Sequence, residues 1–545
     1  MKPILTLHDP ATAAAYYAAG LWREQSCYRL MSDHAKERGA AFALRDRGRR
    51  LTWDQLKTAV DGFAATLAEG GLRRGDRLSI WASNRVEVVV AFLAASRNGY
   101  VCNPSLHVNY TTAEVSHLLD EIQATAFLYE PGHGADGDRV DAAATVADLD
   151  GLNQVIALEP GRQAMALPTT ATGPAPVPSP DKVCYLAFTS GTTGKPKGVM
   201  HSDNTLLTNA RALVADWHHD AATRLLSLSP LSHHIAWVGL AQALVAGAEF
   251  IINDLPPSAN PLDWLLETGA TYVMGVPTHA MDILDDQRRR GLDRLGAVRV
   301  FYMAGAPIPP ATAEAFLAQG VMPQNIYGMT ENSSHQYTLP NDDKDTIVTS
   351  CGRAGAGYEI KIFDREDADR PAAPGIVGQI GGRGAALMLG YFDNQPATES
   401  SFNHDGWFLS GDLGWLDDKG CLHIAGRLKD MIIRGGHNIY PTRIEDLAVS
   451  HPAIAKAAAF AVADDRLGEK VCLAILADGD TTPTGPEVLA HLNAVGLSKY
   501  DMPEYFLGLS AFPLTASGKI LKRALAQSVA DGELKPEPIR WRGDK

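Results

Sequence analysis

The sequence predicts an α/β protein: a large N-terminal α/β domain over residues 1–428 and a small α+β domain over residues 429–545. Three observations carry this. Strand-like runs alternate with helical patterns along most of the chain, which favours a mainly parallel sheet covered by helices. Those runs end in loops rich in Gly, Pro, Ser and Thr, where open α/β sheets keep their ligand sites. The chain then turns charged and Gly-rich at Gly426–Gly436, and Ile444–Lys545 reads as a second, smaller domain. The length of 545 residues, 46% hydrophobic and 21% charged, suits several domains with a large core.

Taken in order, Thr52 is a plausible N-cap for a helix running through Ala64 and Leu67. Arg77–Trp81 and Ala126–Tyr129 read as strands, with a buried helix over Val88–Ala95 between them. The Pro- and Thr-rich run Leu167–Pro180 is an exposed connector. Further strand-like segments are Val183–Phe188, Thr271–Val276, Val298–Tyr302 and Gln324–Tyr327, then Ala457–Phe460 and Val471–Leu476 in the small domain.

Composition narrows the function classes. A net charge of −14 argues against a nucleic-acid or membrane-surface partner. Six cysteines (Cys27, Cys102, Cys184, Cys351, Cys421, Cys472) form no CxxC pair, so neither a zinc site nor a disulfide framework is indicated. The start Met1-Lys2-Pro3-Ile4 lacks a signal-peptide apolar region. The longest apolar stretch, Val238–Ile252, is broken by Gln242 and Glu249 and is too short to span a bilayer. The expectation is a cytoplasmic monomer or homodimer acting on small molecules.

The chemistry concentrates in a few loops. Thr189-Ser190-Gly191-Thr192-Thr193-Gly194-Lys195-Pro196-Lys197-Gly198 packs hydroxyls, lysines and flexible glycines after a strand, which suits a polyphosphate. It is not a Walker A loop, because Gly191 and Gly194 are too close and Pro196 follows Lys195. Tyr327-Gly328-Met329-Thr330-Glu331 offers a ring for a base, a hydroxyl for a phosphate and a carboxylate for a metal. A strand end followed by a turn would read the same. Ser410-Gly411-Asp412-Leu413 places a carboxylate where ribose hydroxyls could bind, although an Asx turn has the same residues. Gly426-Arg427-Leu428-Lys429-Asp430 is a charged cluster that alone reads as a solvated linker. Lys519 stands on a Gly turn, and a lone exposed lysine is usually idle.

Together, in this order, these stretches resemble the adenylate-forming superfamily of acyl-CoA synthetases, peptide-synthetase adenylation domains and firefly-type luciferases. Further matching pieces are Pro230–His233, Val276–Thr278, Gly305–Pro307, Gly384–Thr398 and Thr515–Lys519. The N-terminal text Tyr16–Trp22 looks most like cyclohexanecarboxylate-CoA ligases.

The resemblance implies a β-rich subdomain at the end of the large domain and a mobile small domain. It also implies two half-reactions: a carboxylate displaces pyrophosphate from ATP, then coenzyme A displaces AMP. Thr189, Ser190, Gly191, Thr192, Thr193 and Gly194 would cradle the β- and γ-phosphates, with Lys195 and Lys197 adding charge. Thr330 would touch the α-phosphate and Glu331 would bind Mg²⁺. Gly305, Ala306, Pro307 and Tyr327 would line the adenine slot, Gly328 and Met329 would also belong to the cofactor-binding set, and Asp412 and Arg427 would hold the ribose. Lys519 would reach the α-phosphate during adenylation. Lys429 would be the hinge, and Gly435 and Gly436 would line the pantetheine tunnel. His233 matches a residue gating acyl or thiol entry. Ser232 departs from the aromatic common there, the doublet His233-His234 is unusual, and Ser410 replaces the commoner Thr. The acyl pocket is expected near His233, Trp237, Tyr272, Gly305, Met329 and His335. Ile235–Leu240 holds no acid to pair with an amino-acid ammonium. The substrate expected is an alicyclic, aromatic or medium-chain acid such as cyclohexanecarboxylate. Acyl transfer to a carrier protein is the alternative, and a non-catalytic nucleotide-binding protein a third reading.

Overall fold

A computed structural model gives the structure of residues 2–161, 166–167, 173–189, 196–256, 259–305, 308–479, 481–514 and 520–541. Ser190, Gly191, Thr192, Thr193, Gly194, Lys195, Ala306, Pro307 and Lys519 lie outside the described residues, as does much of the Leu167–Pro180 connector. The chain divides into two units: residues 1–359 with 382–402, and residues 360–381 with 403–545.

The first unit is built on two sheets. Six strands run in the order Gln154–Ala157, Ala126–Tyr129, Arg77–Trp81, Val101–Asn103, Val183–Thr189, Lys197–Ser202, parallel except for the last pair. Nine strands form the other: Arg353–Ala354, Ser333–Tyr337, Met322–Met329, Val300–Met303, Tyr272–Gly275, Arg224–Ser227, Glu249–Ile252, Phe42–Arg45, Arg50–Thr52. Its interior pairs are parallel and both edges end in antiparallel strands. The mainly parallel architecture is therefore the expected one.

One hydrophobic core holds residues of both sheets together with the helices Trp53–Glu69, Val86–Asn98, Asp203–Asp216 and His234–Ala246. Thr52 caps the first of these with a capping box: its Oγ1 accepts from Gln55 N, and Gln55 Oε1 accepts from Thr52 N at 2.9 Å. Val86–Asn98 is buried at every position. Its charged residues survive burial because each has a partner: Glu87 with Arg85 and Arg49, Arg97 with Asp61. The apolar run Val238–Ile252 is two elements, not one. Gly247, at φ +67, ends the helix His234–Ala246, and Glu249 starts a strand with its carboxylate on Arg50.

The second unit holds two sheets. Four strands run Tyr358–Phe363, Gly378–Gly384, Phe408–Leu416, Leu422–Arg427, the first two reaching across its boundary with the first unit. In the other, His437–Ile439, Ile432–Arg434, Gly468–Ala477, Tyr505–Leu509 and Glu537–Pro538 lie in that order, and Ile454–Asp464 pairs with Gly468–Ala477. Alternate residues of this long hairpin face opposite ways. Ala457, Ala459, Val471, Leu473 and Ile475 enter one core, and Ala458, Phe460, Cys472 and Ala474 the other. Both faces are covered, which is why these strands read as continuous apolar runs. The division into units does not fall at the expected 428/429 cut, since residues 360–381 and 403–428 group with the C-terminal segment.

Candidate active site

In the first unit, the sequence-picked loops lie at the carboxyl ends of parallel strands. Val183–Thr189 ends at Thr189, Val300–Met303 runs into Gly305 at φ +87, and Met322–Met329 runs into Thr330 and Glu331. Thr189 and Lys197 face each other across the hairpin flanking residues 190–195, with Thr189 Oγ1 donating to the Lys197 carbonyl at 3.4 Å.

The turn after Tyr327 is tight. Asn332 N donates to the Met329 carbonyl at 3.2 Å, closing a turn whose central residues are Thr330 and Glu331. Asn332 Oδ1 accepts from Met329 N at 3.1 Å. Ser333 follows in the left-handed region at φ +57, a conformation that costs a non-glycine residue about 1–2 kcal/mol. Gly328 has no alternative, because a Cβ there would sit 1.8 Å from the Ser333 carbonyl oxygen.

The turn is held from three sides. His201 Nε2 donates to the Thr330 carbonyl at 2.7 Å, and the carbonyl fixes that nitrogen as the protonated one. Burial keeps this imidazole neutral, pushing its pKa down to about 4. Met388 N donates to the Glu331 carbonyl at 2.7 Å. Tyr391 donates its hydroxyl to Glu331 Oε1 at 2.9 Å, and the ammonium of Lys197 lies 4.3 Å from the centre of the same ring. A hydrogen bond to a charged group is worth roughly 1.5–3 kcal/mol. Burial and the neighbouring carboxylate push the Tyr391 phenol well up. Tyr391 thus links two expected site residues. It lies inside the matched Gly384–Thr398 stretch, but only the fold brings it to Glu331.

The histidines form a second cluster. His233 occupies the N-cap of the helix His234–Ala246, its ring 4.5 Å from that of His107. Ser232 Oγ lies 3.1 Å from His107 Nδ1 and 3.3 Å from His233 Nδ1. Burial pushes the His107 pKa down to about 4. His107 escaped the sequence reading, although its place just after the strand Val101–Asn103 was a usable signal. His234 is half-buried, with Nδ1 3.2 Å from the Tyr185 hydroxyl and Nε2 3.0 Å from Ser333 Oγ.

Of the acyl-side candidates, Trp237 and Tyr272 are packed inside. Trp237 Nε1 donates to the Leu231 carbonyl at 2.7 Å, and the Tyr272 hydroxyl to Gln324 at 2.6 Å. Gly305 is exposed and Met329 half-buried. Buried His335 stacks on Tyr358 at 4.2 Å and meets the Tyr327 ring edge-on. Neither of its nitrogens finds a hydrogen-bond partner among the described residues, and burial pushes its pKa down to about 3.

In the second unit, Asp412 and Arg427 are register partners across the hairpin Phe408–Leu416/Leu422–Arg427, with Arg427 Nε 3.3 Å from Asp412 Oδ1. Ser410 Oγ accepts from Asp412 N at 3.1 Å and donates to the Ile380 carbonyl at 3.0 Å, so the serine keeps the hydroxyl's anchoring task. Lys429 sits in the 3₁₀ turn Leu428–Asp430. Gly435 and Gly436, at φ +58 and +85, form the two-residue loop between Ile432–Arg434 and His437–Ile439.

Known proteins match along nearly the whole chain. The family model described as "AMP-binding enzyme" matches residues 31–392, and "AMP-binding enzyme C-terminal domain" matches residues 443–519. The medium-chain fatty-acid–CoA ligase of Escherichia coli K12 is 30% identical over 97% of this chain and 94% of its own length. The 3-[(3aS,4S,7aS)-7a-methyl-1,5-dioxo-octahydro-1H-inden-4-yl]propanoyl:CoA ligase of Mycobacterium tuberculosis is 31% identical over 89% of this chain and 95% of its own. Among solved structures, ATP-bound MatB from Rhodopseudomonas palustris superposes with a TM-score of 0.82 at 27% identity, covering 94% of this chain and all of that one. No helix among the described residues is long and apolar enough to cross a membrane.

Proposed function

This chain belongs to the AMP-binding enzyme family as an AMP-forming acyl-CoA synthetase, and from that premise we propose which acid it activates and which residues carry the two steps. The acid is an apolar carboxylate with a medium chain or a ring, cyclohexanecarboxylate being the first candidate. The observation that carries this is the helix His234–Ala246, which lies behind His233 and bears no acidic side chain. An amino-acid ammonium buried against it would be unpaired. The names of the E. coli and M. tuberculosis relatives, one for a medium-chain acid and one for a bicyclic acid, support the same class.

In the first step a carboxylate oxygen attacks the α-phosphorus of ATP and pyrophosphate leaves. Positioning and charge neutralisation dominate such a transfer. Thr189, Ser190, Gly191, Thr192, Thr193 and Gly194 hold the leaving phosphates, with Lys195 and Lys197 nearby in sequence. Thr330 meets the α-phosphate. Gly305, Ala306, Pro307 and Tyr327 form the adenine side, Gly328 and Met329 follow within the cofactor-binding set, and Asp412 with Arg427 takes the ribose. Glu331 would hold Mg²⁺, since a single hard carboxylate fits an ion that takes most of its remaining ligands from phosphates and water. When bound, that ion supplies positive charge to the phosphate oxygens. Lys519 stabilises charge at the phosphorus. In the second step the coenzyme A thiol attacks the acyl carbon and AMP leaves, with His233 gating entry, Lys429 as hinge, and Gly435 and Gly436 beside the pantetheine arm.

A screen of acid-dependent pyrophosphate release tests the reading, using alicyclic, aromatic, straight-chain and amino acids. Alicyclic or medium-chain acids should lead, and amino acids activated equally well would overturn it. Thioester formation should require coenzyme A. A holo-carrier protein working in its place would establish the carrier alternative. Lys519→Ala should cost about 2.7–4 kcal/mol in adenylation while pre-made acyl-AMP still becomes acyl-CoA. Equal loss in both steps would remove Lys519 from its role.

A further inference from the structure

The unusual second histidine of the doublet reaches the adenylation turn. Its Nε2 lies 3.0 Å from the hydroxyl of Ser333, the residue held at φ +57. Its Nδ1 lies 3.2 Å from the hydroxyl of fully buried Tyr185. The Tyr185 hydroxyl has no other hydrogen-bond partner among the described residues, so its proton goes to Nδ1. Neutral His234 then carries its own proton on Nε2 and donates it to Ser333 Oγ. Burial keeps the ring neutral, which this one-donor, one-acceptor pattern needs. The ring stacks on His201 at 5.4 Å with 19° between the planes, and His201 holds the Thr330 carbonyl. One residue further on, Ser334 is pinned by Asn209, which accepts from Ser334 N at 3.1 Å and donates to its carbonyl at 2.9 Å. Ser333 is thus the strained joint between an anchored turn and an anchored strand.

We propose that His234 is a positioning residue for adenylation: by hydrogen-bonding Ser333 it keeps that backbone left-handed and so sets Thr330 and Glu331. This rests on the reading of Thr330–Glu331 as the adenylation turn. It also joins the start of the acyl-side helix to the turn, since His234 is that helix's first residue.

The test uses the rescue that a joint implies. Glycine takes a positive φ without steric cost, so it should make His234 dispensable. His234→Ala should slow acid-dependent pyrophosphate release about tenfold, the size of one lost hydrogen bond. It should raise amide exchange across residues 327–334 and leave the conversion of pre-made acyl-AMP to acyl-CoA unchanged. Ser333→Gly alone should stay within about threefold of wild type, and His234→Ala with Ser333→Gly should recover to the same level. A packing role for His234 would not be repaired by glycine at 333, so failure of the rescue overturns the proposal, as does unchanged exchange in His234→Ala. If His234→Ala does not fold, Tyr185→Phe, with and without Ser333→Gly, reads the same chain of bonds through a smaller loss. Glu331→Gln separates the two levels. Normal adenylation by that variant would sink the assignment of the turn, while the exchange data still decide whether His234 holds Ser333.

Discussion

The turn at Thr330–Ser333 and the turn at Gly435–Gly436 both reverse the chain between paired strands, yet they are built by opposite means. The first uses ordinary side chains in a strained backbone, and His201, Met388, Tyr391 and Asn332 hold it in place. The second meets its positive φ values with glycine and leans on a backbone bond from Gly435 N to the Leu467 carbonyl at 2.7 Å. A turn that must present a hydroxyl and a carboxylate cannot be glycine throughout, so its strain is offset by neighbours. A turn that presents only backbone needs no such support and leaves open space at Gly436, although a Cβ at Gly435 would lie 3.2 Å from Leu467. A Cβ at Gly436 would meet nothing within 4 Å, whereas one at Gly328 collides with Ser333.

The largest effect should come from that collision. Gly328→Ala is expected to lose about 3 kcal/mol or more of stability, and pyrophosphate release should fall at least a hundredfold, read by thermal melting and a pyrophosphate assay. A mild phenotype would mean that the turn can re-form and that the contrast with Gly436 is only geometric. Next, Gly436→Val places a branched side chain at φ +85, at about 1–2 kcal/mol. It should slow thioester formation about tenfold and spare adenylation. Loss of adenylation there would dissolve the division of labour between the turns. Tyr391→Phe removes one bond to Glu331, about 1.5 kcal/mol at the low end for a charged acceptor, and should raise the Mg²⁺ concentration needed for half-maximal pyrophosphate release about tenfold.

The smallest effect is on pH. Folding depresses the pKa of His107 and His201 from 6.5 to about 4. Between those values the unfolded chain binds more protons than the folded one, so stability falls as pH drops through 6.5 toward 4 and is fully present only about a unit or more above 6.5. From pH 7.5 to 6.5 the loss is about 0.3 kcal/mol per histidine. Melting curves across that range should shift downward, and a shift that shrinks by about 0.3 kcal/mol in His201→Gln would assign that share to the ring under the Thr330 turn.

Much of this was legible in the chain itself. Arg77–Trp81 and Ala126–Tyr129 were readable to the residue, because buried parallel strands are short apolar runs bounded by turn signals. The Thr52 cap was readable because capping is local. What stayed hidden depends on distance along the chain. Tyr391 meets Glu331 across 60 residues, and Ser232 meets His107 across 125. No local pattern encodes either pair. The edge of the second unit stayed hidden for the same reason, since residues 360–381 and 403–428 precede the charged seam yet group with the C-terminal segment beyond it.

The strand Phe42–Arg45 pairs in parallel with Glu249–Ile252, Leu44 opposite Phe250. During synthesis the early strand therefore waits for a partner made some two hundred residues later. At roughly 5–20 residues per second that is about 10–40 s. Meanwhile the helix Val86–Asn98, buried at every position in the finished protein, has incomplete cover. The nascent first half of this chain is thus a natural client for whatever shields apolar surface at the ribosome. Moving Phe42–Arg45 and its hairpin partner Arg50–Thr52 to a permuted position closer to residue 249 should shorten that exposed interval.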